Sequence, residues 1–167
     1  MKSKKVCIVG YGSIGKRHHS VMKWVLGSES EFTIIDVNTK TSISQEKDKY
    51  FDILVVCTPS SSHLEVASNF NNIGELIFIE KPIDSNLKNI DSYRDQIDIE
   101  KVHIGSNLRY SDPVMSLRKI ADSVKFANVV SASYLPNWRP GNHLESYSAN
   151  SALGGGVLLD FIHPHRS

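Results

Sequence analysis

The chain has 167 residues, 40% of them hydrophobic and 22% charged, and a formal net charge of +1, the make-up of a soluble globular protein long enough to bury a core. So even a balance gives no reason to expect nucleic acid or an anionic membrane as partner, and the basic run Lys2, Lys4 and Lys5 reads as a solvated tail. The apolar run that follows is too short for a signal-peptide core or a membrane span, so a cytoplasmic location is the expectation.

The first predicted strand, residues 6–9, breaks into Gly10-Tyr11-Gly12-Ser13-Ile14-Gly15 and continues as a helical pattern. This is a G-x-G-x-x-G turn in the strand-to-helix setting that dinucleotide binding requires. Gly10 permits the tight turn, Gly12 lets the backbone approach a pyrophosphate that a β-carbon would block, and Gly15 lets the helix pack closely on the strand. The backbone N–H groups near Ser13 and Ile14 carry the partial positive charge of a helix start and face the phosphates. Ile14, His18, Val21, Met22 and Val25 form the expected buried stripe of the helix, with His18 as a packing residue and Gly27 as the stop. A second strand, residues 32–35, ends at Asp36, where a carboxylate can accept hydrogen bonds from an adenosine ribose. The bland alternative is a turn-forming aspartate before Asn38. No arginine follows Asp36 directly, and a carboxylate there repels a 2′-phosphate, so NAD is expected over NADP.

Residues 37–51 are polar, with Ser42-Ile43-Ser44 as a strand-like trace, and a trimmed crossover is expected. Residues 53–57 read as a parallel strand buried on both faces. They run into Thr58-Pro59-Ser60-Ser61-Ser62-His63, a loop beside the ligand crevice, where His63 opens the next helix either as a cofactor contact or as a cap. Leu64, Ala67, Phe70 and Ile73 form that helix's apolar face. Residues 76–79 give another buried strand, capped by Glu80-Lys81-Pro82, and Ser85 or Asn86 starts a helix bearing Leu87, Ile90, Tyr93 and Ile97. Residues 102–105 form a further strand that leads to Asn107 and Arg109, and Pro113 begins a helix carrying Val114, Leu117, Ile120, Ala121 and Val124. This alternation implies a doubly wound parallel sheet. Beyond it, residues 129–135 read as one strand, residues 136–150 as a long polar loop, and Gly154-Gly155-Gly156 precedes a helix start over 157–163. Cys7 and Cys57 fall inside buried strands with no C-x-x-C neighbour and are assigned to core packing; no metal is expected.

With these residues in hand the chain resembles the Gfo/Idh/MocA family of glucose-fructose oxidoreductase and inositol dehydrogenase-like proteins. The resemblance rests on the glycine turn with His18, on Thr58-Pro59 with His63, on Glu80-Lys81-Pro82, on Asn107 with Arg109, and on Gly154-Gly155-Gly156 leading to Asp160 and His163. It implies a Rossmann-type domain followed by an α/β domain whose open sheet covers a nicotinamide. The implied chemistry is hydride transfer between NAD(P) and a sugar, nucleotide-sugar or cyclitol hydroxyl. By resemblance His163 would be the base, Asp160 would bind or orient the substrate, and Lys81 would hold the reacting hydroxyl. Gly10, Gly12, Ser13, Ile14, Gly15, Asp36, Thr58, Pro59, His63, Glu80, Lys81 and Asn107 would line the cofactor site, with a cis peptide bond before Pro82. Asp160 and His163 stand three apart rather than the four of many relatives, a spacing that still shares a helical face. After His163 the chain reads Pro164-His165-Arg166-Ser167, and Pro164 would remove the hydrogen bond to the carbonyl of Asp160 in a continuing helix. The expectation is therefore a C-terminally truncated member, with a Rossmann domain over 1–126 and an incomplete substrate domain over 127–167 that self-associates. The alternative is a dinucleotide-binding module without turnover.

Overall fold

A computed structural model describes residues 3–37, 46, 49–70, 72–130, 132, 134–138 and 142–156. Its centre is a parallel sheet of five strands, β1 (Lys5–Val9), β2 (Glu31–Ile35), β3 (Phe51–Val56), β4 (Gly74–Glu80) and β5 (Val102–Gly105), in the order β2-β1-β3-β4-β5. The helices between them are α1 (Ser13–Leu26), α2 (His63–Asn69) and α3 (Leu87–Tyr93), with α4 (Asp112–Arg118) and the short α5 (Leu135–Trp138) after the sheet. The expected doubly wound α/β fold is thus present. Pairing puts Val9 opposite Ile35 and Val56, Val56 opposite Ile79, and Ile79 opposite Ile104. That register brings the carboxyl ends of all five strands into one row, and the next residues along, Gly10, Asp36, Cys57, Glu80 and Gly105, form the row above it.

Alternation along the strands divides the core in two. Cys7, Val9, Leu54, Val56, Ile77 and Ile79 pack with Leu64 and Ala67 of α2 and with Phe70 just past its end, and Ile90 and Tyr93 of α3 lie against them. Val6, Ile8, Val55 and Cys57 face the other way, toward Met22 and Leu26 of α1. Covering both faces is what allows continuous apolar strands in a parallel sheet. Both cysteines are buried and free, as expected of packing residues. Burial, reinforced by Glu46 at Cys7 and by Glu80 at Cys57, pushes each thiol up to about 12.

Three expectations change. The buried stripe of α1 runs through Gly15, Met22 and Leu26, whereas Ile14, Val21 and Val25 are exposed. Close packing of Gly15 fixes the rotation of the helix, and residues seven and eleven positions further on share its face. Second, the helix begun at Pro113 stops at Arg118, and Leu117, Ile120 and Val124 lie exposed. Third, residues 129, 130, 132 and 134 are not in a strand, and residues 135–138 form the helical turn α5. Val129, Val130 and Tyr134 have strand-favouring side chains, but strand propensity expresses packing on a neighbour, and no described strand lies alongside to supply a ladder. The expected polar loop that follows is organised into 3-10 turns at His143–Glu145, Tyr147–Ala149 and Ser151–Leu153. Asp160, His163, the helix expected over 157–163 and the Ser42-Ile43-Ser44 trace lie outside the described residues.

Candidate functional site

The sheet order reverses direction between β1 and β3, and in open α/β sheets the crevice beyond the strand ends at such a point is where ligands sit. Here it is bounded by the glycine turn after β1, residues 58–62 after β3 and residues 81–86 after β4. Each glycine of the turn has a distinct reason to lack a side chain. Gly10 has φ +91°, and a Cβ there would lie 2.5 Å from the Cys57 carbonyl oxygen and 2.7 Å from the Thr58 nitrogen. A Cβ on Gly15 would overlap the Gly10 carbonyl oxygen. A Cβ on Gly12, in contrast, would meet no protein atom within 4 Å. Open space in front of Gly12 is what a cradle for a ligand looks like. The N-terminus of α1 at Gly12 has no side-chain cap and no acidic residue in its first turn. The N–H groups at Ser13 and Ile14, both exposed residues, are therefore not neutralised from within the helix.

The turn is held from two sides. The Gly10 N–H donates to the Ile35 carbonyl at 2.8 Å, and the Tyr11 N–H donates to Asp36 Oδ2 at 2.6 Å. The Asp36 carboxylate is thus fixed beside the glycine turn at the end of β2. Tyr11 also reaches along α1: its hydroxyl lies 2.6 Å from His19 Nδ1, and the His19 ring stacks at a tilt on Phe32. Burial first, and Lys23 second, lower the His19 pKa.

At the end of β4 the Glu80 carboxylate is pinned. Oε1 sits 2.7 Å from His18 Nε2, and Oε2 accepts the Lys81 N–H at 3.2 Å. The His18 ring also packs edge-on against Phe78 at 5.1 Å, so the residue read as a packing histidine has a polar tie as well. The Lys81-Pro82 peptide bond is cis, as the resemblance implied, and Lys81 is half-buried at the crevice. His63 is 2% exposed, with Nδ1 at 2.8 Å from the Pro82 carbonyl oxygen and Nε2 at 2.8 Å from the Thr58 carbonyl oxygen. It ties together the two loops that flank the crevice, and its influence on a ligand passes through them. Thr58 is half-buried and accepts the Ser62 hydroxyl at 3.1 Å, Pro59 is exposed, and Asn107 stands exposed just past the end of β5.

The triple glycine returns to this same edge. Ser60, 1% exposed, has its hydroxyl 2.8 Å from that of Tyr147, which donates to the Gly154 carbonyl at 3.0 Å. No spacing or motif singles out Tyr147, whose partner is 87 residues away. Tyr11 and His19 were equally silent, because their roles depend on how α1 lies on β2. Among the described residues no group of three His, Cys, Asp or Glu is placed to hold a metal, and no helix is long and apolar enough to cross a membrane.

A parallel sheet wound on both sides, with a glycine turn at its switch point and an acidic residue ending the second strand, defines a Rossmann-type unit. Comparison with known proteins bears out the resemblance to Gfo/Idh/MocA oxidoreductases, although no family model matches the chain. An inositol 2-dehydrogenase of Rhizobium meliloti (strain 1021) is 29% identical over 96 residues, which are 56% of this chain and 28% of that protein. Among solved structures, an NAD-binding protein from Listeria innocua superposes with a TM-score of 0.72 at 19% identity, covering 98% of this chain and 53% of its own. The WlbA dehydrogenase from Bordetella pertussis, in complex with NADH and UDP-GlcNAcA, gives 0.61 at 19% identity over 73% of this chain and 43% of its own. The chain therefore spans about half the length of these structures and 28% of the curated relative.

Proposed function

We propose that this chain is the NAD-binding part of an oxidoreductase that transfers hydride between the cofactor and a hydroxyl of a sugar, nucleotide sugar or cyclitol. The observation that carries the reading is the open space before Gly12 at an uncapped helix start, beside a carboxylate held at the end of β2. The N–H groups at Ser13 and Ile14 would hold the pyrophosphate, and Asp36 the adenosine ribose. Thr58, Pro59, Glu80 and Asn107 would border the nicotinamide half, with His63 setting the two loops. When bound, NAD supplies the hydride acceptor. Removing hydride from a carbinol carbon also requires its O–H proton to leave. Lys81 would hold that oxygen and stabilise the negative charge growing on it, with His163 as base and Asp160 orienting the substrate. Residues 1–126 would form the cofactor domain and 127–167 the opening of a substrate domain. Exposed Phe126, Val129 and Val130 support self-association through that segment.

Calorimetric titration tests the cofactor assignment. NAD should bind more tightly than NADP, and Asp36→Asn, which keeps an acceptor for the Tyr11 N–H, should narrow that preference about tenfold, the scale of one hydrogen bond to a charged group. Equal or reversed preference in the parent would remove Asp36 from the ribose. Catalysis is tested in any preparation that oxidises a cyclitol or sugar. There Lys81→Ala should lower kcat about a hundredfold while NAD affinity stays nearly unchanged. An unaltered kcat would take Lys81 out of the chemistry.

A further inference from the structure

One glycine in the C-terminal part touches both loops that bound the crevice. Gly154 has φ +86°, and a Cβ there would overlap Ser60 Oγ and lie 2.7 Å from the Ser85 Cβ. Ser60 belongs to the loop after β3, and Ser85 to the loop after β4. The Ser60 hydroxyl is buried between the Tyr147 hydroxyl at 2.8 Å and the carbonyl oxygens of Gly154 and Leu153 at 3.4 and 3.5 Å. Gly155 is as tightly placed, since a Cβ on it would overlap the Tyr147 carbonyl oxygen and its N–H donates to the Asn150 carbonyl at 2.9 Å. The first residue of the 58–62 loop abuts the glycine turn, since Gly10 turns against the Cys57 carbonyl and the Thr58 nitrogen, and the Cys57 N–H donates to the Val9 carbonyl at 2.7 Å. The loop is therefore shared between the glycine turn and the docked segment.

We propose that residues 147–155 form an arm whose docking on Ser60 and Ser85 is coupled to dinucleotide binding, with Ser60, Tyr147 and Gly154 as positioning residues that touch no cofactor. The proposal rests on the dinucleotide reading above. Its physical basis is that a buried Ser60 hydroxyl bonded only to residues of the arm, beside a left-handed glycine wedged against Ser60 and Ser85, fits one arrangement, so whatever orders residues 58–62 also lowers the cost of seating the arm. By linkage, a seated arm tightens the cofactor site by the same factor. In the sequence, Asp160 and His163 follow Gly156 by only four and seven positions.

Hydrogen–deuterium exchange of the whole chain with and without NAD, run beside calorimetric NAD titration, tests the coupling. The amides of Leu153, Gly154 and Gly155, each bonded within the arm, report seating. In the parent, NAD should slow their exchange about fivefold or more, the lower end of ordinary coupling between sites. Gly154→Ala should abolish that protection and weaken NAD by a similar factor, while exchange in β1 stays as in the parent and shows the sheet intact. Tyr147→Phe removes one hydroxyl without a clash. It should act in the same direction and keeps the test valid if Gly154→Ala does not fold. NAD binding without any change at these three amides would overturn the coupling and leave the dinucleotide reading standing. Full protection in both variants would overturn the assigned contact, and failure of the parent to bind NAD would overturn both readings.

Discussion

Gly10→Ala is expected to destabilise the chain by about 4 kcal/mol, combining a left-handed backbone forced on an L-residue with a clash inside packed backbone. The added Cβ would stand 2.5, 2.6 and 2.7 Å from the Cys57 oxygen, the Cys57 carbon and the Thr58 nitrogen, all main-chain atoms with no rotamer to yield. For a domain whose whole stability is of order 5–15 kcal/mol, that loss is severe. Gly12→Ala is the informative partner. Its φ of −69° suits any residue and its Cβ meets no protein atom within 4 Å, so stability should change little. NAD affinity should fall at least about tenfold, because the methyl stands where the pyrophosphate must approach. Denaturant unfolding and NAD titration of both variants separate the two roles. Equal stability of Gly10→Ala and the parent would mean that the turn does not hold this backbone, and unchanged NAD affinity in Gly12→Ala would place the phosphates elsewhere.

How far the sequence reveals this fold depends on the range of the interaction. The five strands and the glycine turn are legible because runs such as residues 6–9, 53–57 and 76–79 carry their own burial pattern, and because glycine spacing is a local backbone demand. The rotation of α1 is not legible. Its sequence offers two apolar stripes, and only the contact of Gly15 with Gly10 and Cys57 chooses the one through Met22 and Leu26. Residues 129, 130, 132 and 134 show the opposite failure: a pattern that promises a strand is not in one there, because a ladder needs a neighbour that composition cannot guarantee.

The candidate site divides along the same line. Gly10, Gly12, Gly15 and Asp36 announce themselves by spacing, and the register then places Gly10 and Asp36 in one row with Glu80. The bond of Glu80 to His18, the grip of Tyr11 on His19, and the meeting of Ser60 with Tyr147 join residues 62, 8 and 87 positions apart. Such side chains carry no periodicity that could flag them, since their partners are chosen by the third dimension. His63 lies between the two cases: its position at a helix start is readable, but whether it faces a ligand or the protein is decided by the two carbonyls that meet it.

That geometry gives the second large effect. His63→Ala should cost about 3–4 kcal/mol in unfolding free energy, from the cavity left by a buried ring together with the desolvated carbonyl that loses its donor. The ring is 2% exposed, and the Thr58 and Pro82 carbonyl oxygens each lie 2.8 Å from one of its nitrogens. In either tautomer one N–H donates to a carbonyl, and the ring fills the space between the loops after β3 and β4. Without it, no hydrogen bond in the described structure ties residue 58 to residue 82, so the two walls of the crevice should be held less firmly to one another. NAD affinity should then fall together with stability, by about tenfold for each 1.4 kcal/mol of binding energy that preorganised loops contribute. His63→Phe separates the two causes: it fills the volume but donates nothing, so it should recover part of the stability and little of the affinity. A His63→Ala protein within about 0.5 kcal/mol of the parent, the range of ordinary surface substitutions, would show that the ring does not hold the loops together.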